Sequence, residues 1–463
     1  MFSTGSKPER RRAKLALRRA GIAGWRLSLL GPGARQFLAE PPRSARVGVA
    51  AAWQLTYRLR ADRDVDRAEP AFETEGFEER EPRRGVAAER HLPQSQPRDW
   101  ALALCGVREA WARPGAPQGQ RVLIAHPDTG YTPHPQLRAA LRPDLGYDFV
   151  EDIPDALDPL NGQSGGHGTA TASVIASAVD AELVGVAPRA KIVPLRVNDN
   201  VIHFSWRRLA AALYRAAERR TPVASMSLGG PWGGSGALAE AVRRASEQGV
   251  IQIAAAGNHA PFVVYPACLP EVIAAAACNA LAAPWQYTAR GPEVDITAPG
   301  ESVWRAKTSA GATYRVERSS GTSYAAAHVA GMCALWLARH GGFAALAARY
   351  GSGAAVGGVF KEALQRSAWT PRGWDRASLG AGIARADALL DHPLPASAPA
   401  RGARFASARA PALEALLVDI AEPVRDELRF HAATDPRLRA ALQRRVRRLP
   451  VSGASRELRR ALR

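Results

Sequence analysis

The chain holds 463 residues, 46% hydrophobic and 23% charged, the balance of a soluble globular protein with ample material for a core. Its formal charge of +19 lies almost wholly in residues 1–50 and 401–463, so the middle is nearly neutral and nucleic acid is disfavoured as a partner there. No run approaches the ~18–20 uncharged apolar residues of a transmembrane segment, and the basic start ERRRAKLALRRAG lacks an unbroken secretory stretch, so the cytoplasm is expected ahead of unconventional secretion.

In chain order, residues 1–98 form a basic N-terminal region. Within it VGVAAAWQLTYRLR is expected as a strand, and the charged, proline-containing EEREPRRGVAAERHLPQSQP as a linker. Over 99–391 short apolar runs alternate with helical ones. RVLIA, KIVPLRV, TPVASMS, VIQIAAA and EVIAAAA suit strands buried on both faces. WRRLAAALYRAAERR and GALAEAVRRASEQG suit helices between them. This alternation predicts an α/β domain with a mostly parallel sheet under helices. Residues 392–463 read as a Pro/Ala linker and an Arg-rich helical tail. Cys105, Cys268, Cys278 and Cys333 are scattered among small apolar residues and are expected as free thiols rather than disulfides or zinc ligands.

Chemistry begins at RVLIAHPDTGYTPHPQL, where a buried strand runs into Asp128 and places a carboxylate at a strand's carboxyl end. DTG also occurs in aspartic proteases, but those need a second such carboxylate, and no second DTG or DSG is present. His167 follows in GGHGTATASVIAS, introduced by glycines and leading into a helix-forming run; alone it reads equally as structural. Ser323 in GTSYAAAHVAGMCALWLA precedes a long apolar helix, near the N–H groups of its start. Small neighbours leave room around that hydroxyl. A serine attacks only when a base takes its proton and a third group orients the base, roles open to His167 and Asp128. His328 sits five residues further along the helix, about 140° round from Ser323, and is expected as a buried structural residue. Asn258 ends the strand VIQIAAAGN, where its amide could meet an oxyanion or merely form a turn.

DTG, HGT, SLGG, AAAGN and GTSYAAAHVAG, in this order, resemble the subtilisin-like serine proteases, the subtilases, over about three fifths of the chain. The resemblance implies a subtilisin-like three-layer α/β/α fold with an N-terminal extension and the Arg-rich tail. It implies Asp128 as orienting acid, His167 as general base, Ser323 as nucleophile and Asn258 as oxyanion donor. It also implies that Ser227, Leu228, Gly229 and Gly230, with Ala255, Ala256 and Gly257, line the substrate cleft, and that Val264 stands at the base of the first specificity pocket. Side chains this small predict an uncharged, apolar residue before the cut bond of a protein or peptide substrate. TYRLRADRDVDRAEPAF resembles the last strand of a subtilase propeptide, which implies an intramolecular N-terminal inhibitor.

The chain departs from the family at Ala327, usually proline, and Ala170, usually histidine. No cofactor is expected. AVDAELVGVAP lacks the asparagines of the family's common calcium loop, and Glu151, Asp152, Asp155 and Asp158 read as a solvated acidic loop rather than a calcium site. Two other function classes stay open at this stage. A peptide-binding pseudoprotease would be marked by a lost triad residue, and none is lost. An Arg-rich binding protein would show salt-steep affinity.

Overall fold

The computed structural model describes residues 1–3, 9–69 and 97–399, apart from 32, 43, 46, 48, 163, 179–181, 202–205, 231–235, 261, 310 and 312 within them. The expected linker and Arg-rich tail fall largely outside the described residues.

The N-terminal lobe runs β1 (Phe2–Ser3), α1 (Arg10–Arg19), β2 (Arg26–Leu29), β3 (Gln36–Glu40), α2 (Val49–Arg60) and β4 (Arg67–Ala68). Its strands form one antiparallel sheet in the order β2-β3-β1-β4. Ala13, Ala16, Leu17 and Ala20 recur at helical spacing and pack with Phe2, Phe37 and Leu59 beneath the sheet. The stretch VGVAAAWQLTYRLR, expected as a strand, is the helix α2. Twelve residues is helix length, and buried Thr56 and Leu59 stand three apart, as one helical face requires. The strand of DVDRAEP is β4, only two residues long.

The larger part opens with α3 (Trp100–Leu104), α4 (Val107–Trp111), β5 (Leu123–Asp128), β6 (Tyr147–Asp148), α5 (His167–Ala176) and β7 (Lys191–Arg196). It continues with α6 (Arg207–Glu218), β8 (Val223–Met226), α7 (Gly236–Glu247), β9 (Ile251–Ala255), β10 (Val272–Cys278) and β11 (Val294–Pro299). The hairpin of β12 (Val303–Ser309) and β13 (Thr313–Ser319) leads into α8 (Thr322–Arg339), followed by α9 (Phe343–Tyr350), α10 (Gly353–Arg366), α11 (Arg376–Leu379) and α12 (Ala386–Asp391).

Seven parallel strands form the central sheet in the order β11-β10-β9-β8-β5-β7-β6. Its strands are apolar throughout because helices cover both faces. On β9, Ile251, Ile253 and Ala255 face the cluster built around α5, α8 and α10, while Ala254 faces the cluster around α6 and α7, the two-residue alternation of a strand. β5 lies between β7 and β8, so the chain leaves it toward one side and later returns on the other. Asp128 therefore ends the strand at the sheet's switch point, where α/β sheets open a crevice.

The N-terminal lobe is joined to α6 and α7 through apolar packing. Met1, Leu30, Ala34 and Leu38 belong to the same cluster as Leu209, Leu213 and Tyr214 of α6. Tyr214 donates its hydroxyl to Gln36 Oε1 at 3.0 Å, and Arg207 pairs with Glu40 at 3.2 Å.

Candidate active site

Asp128 is 1% exposed. Its Oδ1 accepts from the Thr129 amide at 2.7 Å and from His167 Nδ1 at 2.8 Å. Burial alone would raise its pKa, but the charge and hydrogen bond of His167 and the Thr129 amide outweigh burial, and the carboxyl is held below its usual range. His167 is the first residue of α5. The helix start is pressed onto the DTG turn: a Cβ at Gly168 would collide with the Gly130 carbonyl.

Asp158 straps the two segments together. Its Oδ2 accepts from Thr129 Oγ1 at 2.6 Å and from the Gly166 amide at 2.8 Å, and Thr129 Oγ1 in turn accepts from the Gly168 amide at 3.1 Å. The backbone on both sides of His167 is thereby tied to the residue after Asp128. The expected solvated acidic loop is corrected here for Asp158, which is 6% exposed. It folds inward because three donors converge on it, the third being the Leu160 amide at 2.8 Å. Asp152 and Asp155 accept from the hydroxyls of Tyr147 and Tyr131, at 2.8 and 3.1 Å. These carboxylates are engaged by N–H and O–H donors and do not fit a calcium ion. Among the described residues no group of three or more His, Cys, Asp or Glu side chains is gathered as a metal site.

Ser323 is the second residue of α8, which packs alongside α5. Its hydroxyl donates to the Ser227 carbonyl at 3.2 Å, and the Ser227 hydroxyl donates to the Ser323 carbonyl at 3.0 Å, locking the end of β8 to the start of α8. Asn258 follows β9. Its Oδ1 accepts from the Thr322 amide at 2.9 Å and the Thr322 hydroxyl at 2.8 Å, which fixes the amide plane. Its Nδ2 then points over Gly321: the point where a Cβ at 321 would stand is 3.5 Å from Asn258 Nδ2 and 3.8 Å from the Ser323 amide. Two N–H groups border one small space, kept open because residue 321 has no side chain.

The expected cleft residues divide into two sets. Gly229, Gly257 and Val264 come together: Val264 Cγ2 lies 2.7 Å from the Cβ position of Gly229, and Cγ1 lies 2.8 Å from that of Gly257. Gly230 exchanges backbone hydrogen bonds with Tyr265 at 3.0 and 3.1 Å, and the Gly257 amide donates to Thr322 Oγ1 at 3.1 Å. Leu228 and Ala256 instead join the apolar cluster around α6 and α7, and Ala255 joins the one around α8. His328 is buried, with Nδ1 donating to the Tyr324 carbonyl at 2.7 Å, and burial lowers its pKa to about 4. The cysteines are free, three of them buried.

Thr129, Asp158, Thr171 and His126 went unnoticed in the sequence. Their signal is polarity inside otherwise apolar or glycine-rich segments. Thr171 stands one helical turn after His167, and His126 two residues before Asp128.

Comparison with known proteins places this architecture. The model described as the Subtilase family matches residues 119–382. Thermitase from Thermoactinomyces vulgaris is 37% identical over 222 residues, 47% of this chain and 75% of that protein. The thermostable alkaline protease of Halalkalibacterium halodurans is 34% identical over 251 residues, 53% of this chain and 64% of that protein, so the match spans less than two thirds of it. Two solved structures share the fold. Fervidolysin from Fervidobacterium pennivorans superposes with a TM-score of 0.61 at 22% identity, covering 84% of this chain and 60% of that one. MycP1 with its N-terminal propeptide removed gives a TM-score of 0.53 at 23% identity, covering 65% of this chain and 99% of that one. With the family's model matching more than half of its length, the chain belongs to the subtilase family.

Proposed function

We propose that this protein is a serine endopeptidase, with Ser323 as nucleophile, His167 as base and then acid, Asp128 as the group that orients His167, and Asn258 with the Ser323 amide as oxyanion donors. The observation that carries the reading is the 2.8 Å contact from His167 Nδ1 to buried Asp128, made by a helix that packs against the helix bearing Ser323. An Nδ1–H held by a carboxylate leaves Nε2 as the basic nitrogen of the ring.

In the proposed reaction the Ser323 hydroxyl hydrogen turns from the Ser227 carbonyl to His167 Nε2 as Oγ attacks the peptide carbonyl carbon. The carbonyl oxygen becomes an anion over Gly321, met by Asn258 Nδ2–H and the Ser323 N–H. The imidazolium then returns its proton to the departing amine, leaving an acyl-serine. Water repeats the sequence and releases the carboxylic acid. No metal or organic group takes part in these steps.

The substrate class proposed is a protein or peptide with a small or medium apolar residue before the cut bond, since Val264 fills the space between Gly229 and Gly257. The N-terminal lobe is proposed as an intramolecular inhibitor. Its seat on α6 and α7 supports this, as does the 84% of the chain matched by fervidolysin, more than residues 97–399 amount to.

A serine-directed phosphonate tests the central claim. Wild-type protein is expected to be labelled at Ser323, and Ser323→Ala and His167→Ala are expected to remain unlabelled. A folded wild type that resists the reagent after limited proteolysis of residues 70–96 would overturn the endopeptidase reading.

A further inference from the structure

Two rungs join β5 to α5. One is Asp128–His167. The other lies one step behind it: His126 Nε2 stands 3.0 Å from Thr171 Oγ1, with both side chains buried. The two-residue spacing puts His126 and Asp128 on one face of the strand. The four-residue spacing puts His167 and Thr171 on one face of the helix. A diagonal closes the frame, with Thr171 Oγ1 3.4 Å from Asp128 Oδ2.

A threonine hydroxyl has one hydrogen to give. Its acceptors here are Asp128 Oδ2 and the carbonyls of His167 and Gly168, at 3.1 and 3.3 Å. The state of His126 decides how many of them compete. If Nε2 is bare it takes the hydrogen itself. If Nε2 carries a hydrogen it donates to Thr171 Oγ1 and leaves the hydroxyl free to turn toward the carboxylate. Asp128 Oδ1 already has the Thr129 and His167 N–H groups, so Oδ2 is the oxygen whose direction Thr171 settles.

Building on the endopeptidase reading, we infer that His126 is a positioning residue for Asp128: its Nε2–H donates to Thr171, Thr171 donates to Asp128 Oδ2, and the carboxylate is held in the orientation that receives His167 Nδ1–H.

The charged and titratable neighbours of this frame are few. Asp128 shares the strand, His167 shares the helix with Thr171, and Asp158 lies in the loop before α5. Arg196 of β7 stands beside Asp128 in register but is committed to Asp148 and Asp199. Burial holds the His126 pKa below its ordinary value, with Asp128 pulling it up and His167 pushing it down, so the ring is neutral where the reaction runs.

The test compares wild type, His126→Leu, His126→Gln, Thr171→Val and the Leu/Val double variant on a chromogenic peptide with an apolar residue before the cut bond, over roughly pH 5 to 9. His126→Leu and Thr171→Val are each expected to lower kcat about tenfold with KM nearly unchanged, the scale of one hydrogen bond to a charged group. The acid limb of kcat should move to higher pH, because a carboxylate with fewer donors holds the imidazolium more tightly. The double variant should be no worse than either single one. His126→Gln, whose side-chain amide can donate to Thr171, should recover most of the loss. Wild-type kcat and an unmoved acid limb in His126→Leu, or losses that multiply in the double variant, would overturn the inference. Should His126→Leu not fold, an unmoved acid limb in Thr171→Val overturns it equally. Phosphonate labelling keeps the two readings apart: an unlabelled wild type removes the endopeptidase assignment, whereas a labelled wild type with an indifferent His126→Leu removes only this role.

Discussion

Glu69 closes the N-terminus of α7 from the other lobe, its two carboxylate oxygens accepting from the amides of Gly236 at 2.8 Å and Ala237 at 3.0 Å. A carboxylate at that end satisfies orphan N–H groups and lies at the positive pole of the helix. Replacing Glu69 with alanine is expected to destabilise full-length Ser323→Ala protein by about 1 kcal/mol, the usual size of a lost cap. The urea midpoint measures this, and a midpoint equal to that of the parent would show that the cap does not hold the lobes together.

His328 predicts an acid sensitivity. Its pKa is lowered to about 4 in the folded protein, chiefly by burial, against an ordinary value near 6.5. The unfolded chain therefore takes up the proton first. Stability is fully present above about pH 6.5 and falls as pH drops toward 4, by at most of order 3 kcal/mol from this ring. Melting temperatures of Ser323→Ala protein should decline over that window, and adding His328→Asn should flatten the decline. A slope unaffected by the second change would assign the acid sensitivity to other groups, such as His126.

Asn258→Ala is expected to lower kcat by about 10² to 10³ with little change in KM, because its Nδ2 serves an oxyanion that exists only as the reaction proceeds. Steady-state kinetics on one peptide decide the matter. A rise in KM at constant kcat would instead make Asn258 a ground-state binding group.

Val264→Gly is expected to shift preference toward larger residues before the cut bond. The two methyl groups lie against the glycine walls at 229 and 257, and removing them opens space worth about 10- to 200-fold per methylene-sized step in relative kcat/KM. Profiling alanine against phenylalanine peptides should show the ratio falling. A ratio that stays constant would place the pocket elsewhere.

Much of the central sheet could be read from residue order alone. KIVPLRV and EVIAAAA are unbroken apolar runs, which is what strands covered on both faces require, and they became β7 and β10. The N-terminal lobe was harder. Its β1 and β4 are two residues each, too short to show any alternation, and VGVAAAWQLTYRLR carries aromatic and β-branched residues that fit a pleated surface as well as a helix. Asp128 and His167 were visible as motif residues, because glycines and small side chains mark places where backbone must come close. Asp158 was not, since an aspartate drawn inward by the amides of Gly166 and Leu160 looks the same in sequence as one facing water. Val264 was seen as part of the pocket, but only the coordinates show its methyl groups reaching both walls.

Because Leu30, Ala34 and Leu38 share one oil-like interior with Leu209 and Leu213, cutting the chain and parting its pieces are separate events. A nick anywhere in 70–96 severs the covalent link yet leaves this interior closed. Departure of the first lobe would wet both halves of it at once, including the flank of Tyr214 that now rests on Gly31. The lifetime of a nicked but undivided pair is thus set by how fast that surface can be hydrated, independently of how fast the backbone is cut.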